Sequence, residues 1–187
     1  AFFDARTGGN GSYVFGGDMN GDGGTSNDLI YIPRNIAEMN FQQFTSSGRT
    51  FTVAEQQAAF EAFIRQDRYL RNHRGGYVER GAVHLPMVAR MDLSITQDIV
   101  RSVMDKPNKL QVRMDILNFT NLLNSDWGRS WSFTSTSPLV PAGVDAQNRS
   151  LYRMRNIGTN LLSQSFQRNS GTSDVFRIQL GVRYTFN

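Results

Sequence analysis

Asp174-Val175-Phe176-Arg177-Ile178-Gln179-Leu180-Gly181-Val182-Arg183-Tyr184-Thr185-Phe186 alternates without interruption up to the final Asn187. Phe176, Ile178, Leu180, Val182, Tyr184 and Phe186 fall on one side, and Arg177, Gln179 and Arg183 on the other. A two-residue period belongs to a strand. The apolar side is unbroken and aromatic at both ends, as in outer-membrane barrel strands that turn one side to lipid and the other to the lumen. The six apolar residues are therefore expected to face lipid, and Arg177, Gln179 and Arg183 the lumen.

Working outward, residues 88–99 and 109–119 repeat the pattern. Met91, Leu93 and Ile95 oppose Arg90, Asp92, Ser94 and Thr96; Leu110, Val112, Met114 and Ile116 oppose Gln111, Arg113 and Asp115. Each of these strands, like the one at 174–186, has about the ~9–11 residues that a tilted strand needs to cross a bilayer. A shorter first strand is expected at 11–16, its upstream part within residues 1–10. Arg90, Asp92, Arg113 and Asp115 then face the lumen, with Asp92 and Asp115 expected to pair with Arg90 and Arg113.

The expected fold is an all-β membrane architecture, about four antiparallel strands of a larger outer-membrane β-barrel. Two long connections, about 17–87 and 121–173, contrast with a short one closed by Asp105-Lys106-Pro107-Asn108, a plausible turn. Outer-membrane barrels have short periplasmic turns and long extracellular loops. The second strand should thus run inward, the third outward and the last inward, which puts the C-terminus at the periplasmic side.

Composition fits by what it lacks. The chain is 39% hydrophobic, and no run approaches the ~20 apolar residues of a membrane helix. Cysteine is absent, which removes disulfides, zinc–thiolate sites and thiol catalysis. Net charge is +4 with a sequence pI of about 9.8. Of 20 basic residues only Lys106 and Lys109 are lysine, and the arginines are scattered rather than gathered in a phosphate-tracking patch, so nucleic acid is not an expected partner. The start at Ala1-Phe2-Phe3-Asp4 is read as that of a processed chain or fragment.

Residues 89–98, 110–121 and the Leu180-Gly181-Val182-Arg183-Tyr184-Thr185-Phe186 ending together resemble the C-terminal end of TonB-dependent outer-membrane receptors. Asp18-Met19-Asn20-Gly21-Asp22-Gly23 and Asn27-Asp28-Leu29-Ile30-Tyr31-Ile32-Pro33 are similar to the Oar-like branch, whose precursors carry a carboxypeptidase-regulatory-like domain. The resemblance covers most of residues 11–187. It implies the C-terminal part of an energy-coupled transporter in the outer membrane of a diderm bacterium. Its partners would be the remainder of the barrel, a plug domain, TonB acting through that plug, and outer-membrane lipid. The chain departs from the family where Asn187 follows the aromatic Phe186, and where Met87 rather than an aromatic follows Pro86. Four strands cannot close, and an open sheet leaves backbone groups unpaired in lipid. The alternative is a structural or adhesive surface protein that uses the barrel as an anchor within a larger complex.

Three features of the long connections carry possible chemistry. Asp18, Asn20, Asp22 and Asp28 are hard oxygen ligands in the order that opens a calcium loop, with Gly23 at the sixth position, yet the twelfth is Leu29 rather than Glu. Two readings stand: weak calcium binding, or a turn whose side chains cap their own backbone. Thr52-Val53-Ala54-Glu55 is a capping box, and Phe60, Phe63, Ile64, Tyr69 and Leu70 continue a helix to about Asn72, packing on the barrel rim or forming a lid. Trp127 and Trp131, with Phe133, could contact a ligand, form a small core of the loop or belong to the interfacial girdle. A short extended piece is expected at 152–155. His73 and His84 match no metal spacing and no nucleophile elbow is present, so an enzyme is not expected.

Overall fold

The computed structural model describes residues 1–103 and 106–186. They form two compact units, one of residues 1–8, 86–131 and 168–187, the other of residues 9–85 and 132–167. Strands dominate both. Among the described residues no helix is long and apolar enough to cross a membrane, which says nothing of β-barrels.

The first unit is a four-stranded antiparallel sheet in chain order: β1 (Phe2–Arg6), β2 (Val88–Val103), β3 (Lys106–Leu117) and β4 (Arg177–Thr185). Its register sorts the side chains across all four strands. Phe3 lies opposite Met91; Leu93 opposite Ile116 and then Ile178; Ile95 opposite Met114 and Leu180; Ile99 opposite Leu110 and Tyr184. Directly opposed residues share a face, so one face is apolar over most of its extent, with Gln97 opposite Val112 and Arg101 opposite Asn108 as polar positions. The other carries Asp4, Arg90, Asp92, Ser94, Asp115 and Gln179.

Several boundaries differ from expectation. The first strand is Phe2–Arg6, not 11–16; five residues hold too few alternations to stand out, and residues 10–15 instead bridge within the second unit, Asn10 to His84, Val14 to Leu29 and Phe15 to Leu139. Three residues of the turn expected at 105–108 are strand instead, because Lys106, Pro107 and Asn108 pair with Val103, Ser102 and Arg101; its first residue, Asp105, lies outside the described residues. β3 ends at Leu117 because Asn118 adopts a left-handed conformation (φ 52°) and starts the short helix α3 (Phe119–Leu123). β4 begins at Arg177, not 174, since Asp174 is committed to a polar cluster before the strand.

The second unit replaces the two separate loops of the sequence reading. Residues 9–85 and 132–167 share one hydrophobic core containing Tyr13, Phe60, Phe63 and Leu70 from the first segment and Leu139, Met154 and Leu162 from the second. The expected capping box is present: the Thr52 hydroxyl accepts from the Glu55 amide and Glu55 accepts from the Thr52 amide. The helix it starts, α1 (Val53–Gln66), stops six residues earlier than expected. Asp67 turns extended (φ −84°, ψ 123°) and caps a second helix, α2 (Arg68–Asn72), through the amides of Tyr69 and Leu70. The aromatic stripe packs into this unit's own core rather than onto a barrel rim: Phe60 meets Phe41 edge-on at 6.0 Å and Phe63 meets Tyr13 at 5.7 Å. The extended piece expected at 152–155 is the Ser150–Met154 strand, paired with Leu139–Val144.

Candidate functional site

β4 is exposed along its whole length on both faces. Leu180 and Val182 are each 72% exposed, while Phe176, Ile178, Tyr184 and Phe186 are also open. Arg177, Gln179 and Arg183 occupy the opposite side, as alternation requires. Among the described residues neither β1 nor β4 has a partner on its outer edge. Thus Ile178, Leu180, Val182 and Tyr184 fall on one face of β4 and Arg177, Gln179 and Arg183 on the other.

The polar face is laddered with charge. Arg113 reaches Asp115 at 2.8 Å and Lys109 reaches Asp98 at 2.8 Å. The expected Arg90–Asp92 pair does not form. Arg90 binds Asp174 at 2.9 Å and the Gly128 carbonyl at 2.7 Å, while the Asp92 carboxylate accepts the Asn118 amide at 2.7 Å. The left-handed turn at Asn118 aims that amide back at the strand, which is why Asp92 is taken before Arg90 can use it.

Arg90 thereby joins a buried polar knot between the end of β3 and the start of β4. Asp174 Oδ1 also accepts the Ser130 amide (2.9 Å) and hydroxyl (2.6 Å); Asn118 Nδ2 donates to the carbonyls of Asp174 and Gly128. Burial raises the Asp174 carboxyl, but Ser130 and Arg90 outweigh it and hold the group below its ordinary value. Gly128 is required here: at φ +67° a Cβ would collide with the Asn118 amide oxygen. Sequence reading missed the knot because its members lie up to 84 residues apart.

In the second unit the Asp/Gly loop is self-capped. Asp18 accepts from the amides of Gly21 (2.7 Å) and Gly23 (2.9 Å), Asn20 from Asp22 (2.9 Å), Asp22 from Gly24 (2.7 Å), and Asp28 from Met19 (2.6 Å). The Gly24 amide, with Asn20 and Asn27, keeps the Asp22 carboxyl below its usual value. Among the described residues no three His, Cys, Asp or Glu side chains gather as a metal-holding group. The arrangement has the geometry of the backbone-capping turn, the second of the two sequence readings.

The candidate aromatics part company. Trp127 is exposed; Trp131 lies under the Arg168 guanidinium, 4.6 Å from the ring centre, a cation–π contact; Phe133 instead packs edge-on against Tyr13 (5.7 Å) and Phe166 (5.3 Å) in the second unit's core. His73 stacks on Tyr69 at 4.1 Å and His84 pairs in a two-residue strand.

Two buried polar clusters join the second unit's segments. Asp67 accepts from Tyr13 (2.9 Å) and Ser165 (2.6 Å), and Gln66 donates to Ser165 (2.6 Å). Burial, with Asp67 beside it, pushes the Tyr13 phenol far up, so it remains a neutral donor. Fully buried Gln56 donates to the carbonyls of Gln42, Phe51 and Thr52 and accepts the Met154 amide at 3.1 Å. Such saturated polar groups fix one packing of a core. Also unforeseen was a cleft of about 430 Å³ between Tyr31, Tyr77 and Tyr152, with Asp28 in its wall.

The geometry defines a β-rich chain in which an open, two-faced antiparallel sheet carries an inserted unit with its own core. No family model, curated protein or solved structure matches the chain.

Proposed function

We propose that this chain is the C-terminal part of a TonB-dependent outer-membrane transporter, its four strands supplying one stretch of wall to a larger barrel. Further strands and a plug domain complete that barrel in the outer membrane of a diderm bacterium, and TonB acts through the plug. The observation that carries this reading is the register: Phe3, Met91, Leu93, Ile95, Met114, Leu180 and Val182 form one apolar sheet face, opposite a face of paired charges. A water-soluble sheet would cover that apolar face with a second layer. Here Ile95, Val112, Leu180 and Val182 of that face are exposed, and among the described residues both edges are unpaired, which in lipid demands further strands. β2 and β3 are paired as far as Val103 and Lys106, whereas both long connections leave from the opposite end of the sheet, the asymmetry of periplasmic turns and extracellular loops.

The anchor reading is favoured by one observation, the second unit's shared core. Capture loops that order on ligand binding are not built around fifteen buried residues. Two measurements on the full-length product separate the readings. Single cysteines at 179 and 180 are labelled with a lipid-soluble reagent, and the product is tested for retention on the periplasmic domain of TonB. Labelling at 180 alone, with retention, is expected. Equal labelling at both positions would remove the barrel; unequal labelling without retention would leave a barrel serving as an anchor.

A further inference from the structure

We propose that the tyrosine-walled cleft of the second unit is a binding site for an organic cation, a guanidinium or ammonium group held between aromatic rings and the Asp28 carboxylate. This does not rest on the transport reading, because the cleft lies wholly within the second unit.

Tyr31 and Tyr77 sit opposite each other on paired strands, their rings 5.5 Å apart at 61°. Tyr152, from the other segment, stacks on Phe15 at 5.7 Å and is fixed by backbone bonds from its amide to Asn40 and to its carbonyl from Gln42. The cleft therefore exists only when both segments are packed together. Each ring carries a negative face, to which a cation is drawn electrostatically.

Charge decides the class of ligand. Among the described residues lining the cleft, Asp28 alone is charged. Its Oδ2 is held by the amides of Met19 (2.6 Å) and Asn20 (3.3 Å), so the carboxylate is positioned without an occupant. Behind the wall, Glu38 accepts the Tyr31 hydroxyl at 3.0 Å and places a second negative charge beside that ring, its effect there larger than that of the opposing Arg34. A neutral sugar would use the rings but gain nothing from the carboxylate, and an anion would be repelled. An adjoining hollow of about 390 Å³, which shares Ser150 and Tyr152 and adds Glu38, Asn40 and Arg149, gives room for chain on either side of a basic residue.

The test is calorimetry on the full-length protein in detergent at low salt, with arginine methyl ester, choline and the tripeptide Gly-Arg-Gly as cations, and maltose and glutamate as comparators. The cations bind and the comparators do not. Tyr77→Ala, at a largely exposed ring, weakens the cations by about two- to fivefold. Asp28→Asn retains an oxygen for the Met19 and Asn20 amides but removes the charge, and weakens them by about fivefold or more. Tighter binding of the tripeptide than of the small cations identifies a basic peptide as the source; equal binding identifies a free amine. Silence from all three cations, maltose binding of equal strength, or cation binding indifferent to Asp28→Asn overturns the assignment.

Discussion

Phenylalanine is used in opposite ways by the two units. Phe60 and Phe63 in the second are 0% exposed, whereas Phe3 and Phe186 in the first are 64% and 75% exposed. The residue type is the same; on the proposed function only the solvent differs. One unit gathers its rings inward from water; the other leaves Ile95, Leu180 and Val182 of its apolar face exposed, as the proposed lipid setting requires. Polar groups are placed differently too: buried Gln56 and Asp67 knit the second unit's core, while in the first the charged pairs line one sheet face and its buried polar knot lies before β4.

The comparison breaks most sharply at these rings. Phe60→Ala should destabilise the second unit by about 3–5 kcal/mol, the cost of emptying a packed aromatic site. Phe3→Ala should change stability by about 0.5 kcal/mol or less in detergent. Urea titration of the full-length protein, followed by protease resistance within residues 9–85 for Phe60→Ala and within residues 86–103 for Phe3→Ala, reads each unit; similar losses would mean that Phe3 is buried after all. Next in size, Leu180→Arg should cost about 2–4 kcal/mol in lipid vesicles if it lies near the midplane, and Gln179→Arg far less. A reversed order would exchange the faces.

A smaller effect sharpens the account of the second unit. Gln56→Ala strands the Met154 amide and should cost about 1–3 kcal/mol. Faster hydrogen exchange at Met154 and its strand, with the sheet of the first unit unchanged, is the expected signature. The smallest effect is a pH dependence. Hydrogen bonds from Arg74 (2.8 Å), more than from Arg65, hold the Glu61 carboxyl below its ordinary 4.5. A depressed folded value means the contribution is complete above the unfolded value and is lost as pH falls through the folded one. Stability of the second unit should therefore drop below about pH 4.5, and Glu61→Gln should flatten that limb without altering stability's slope at neutral pH.

Legibility followed sequence distance. The alternation at 174–186 and the capping box at 52–55 are local patterns, and the structure contains both. Asp67 carried a local signal that went unused: an Asp inside a helical run can end one helix and cap the next, as its bonds to Tyr69 and Leu70 do. Phe2–Arg6 was too short to declare a period. The shared core was beyond local reading, since Gln56 meets Met154 and Asp67 meets Ser165 across 98 positions each. Asp92 shows the limit for a site: same-face neighbours predicted its ion pair, and a left-handed turn 26 residues away claimed it.

The split origin of the second unit's core sets a timetable for the newborn chain. Tyr13, Phe15, Phe41 and Phe60 are made early, but Leu139, Met154 and Leu162, which complete their packing, follow only after β2 and β3. At ordinary synthesis rates that interval lasts on the order of several seconds. Closing such distant contacts is slow in its own right. The larger part of a core thus waits in the open, an exposed apolar surface at risk of sticking to its neighbours until the later segment arrives.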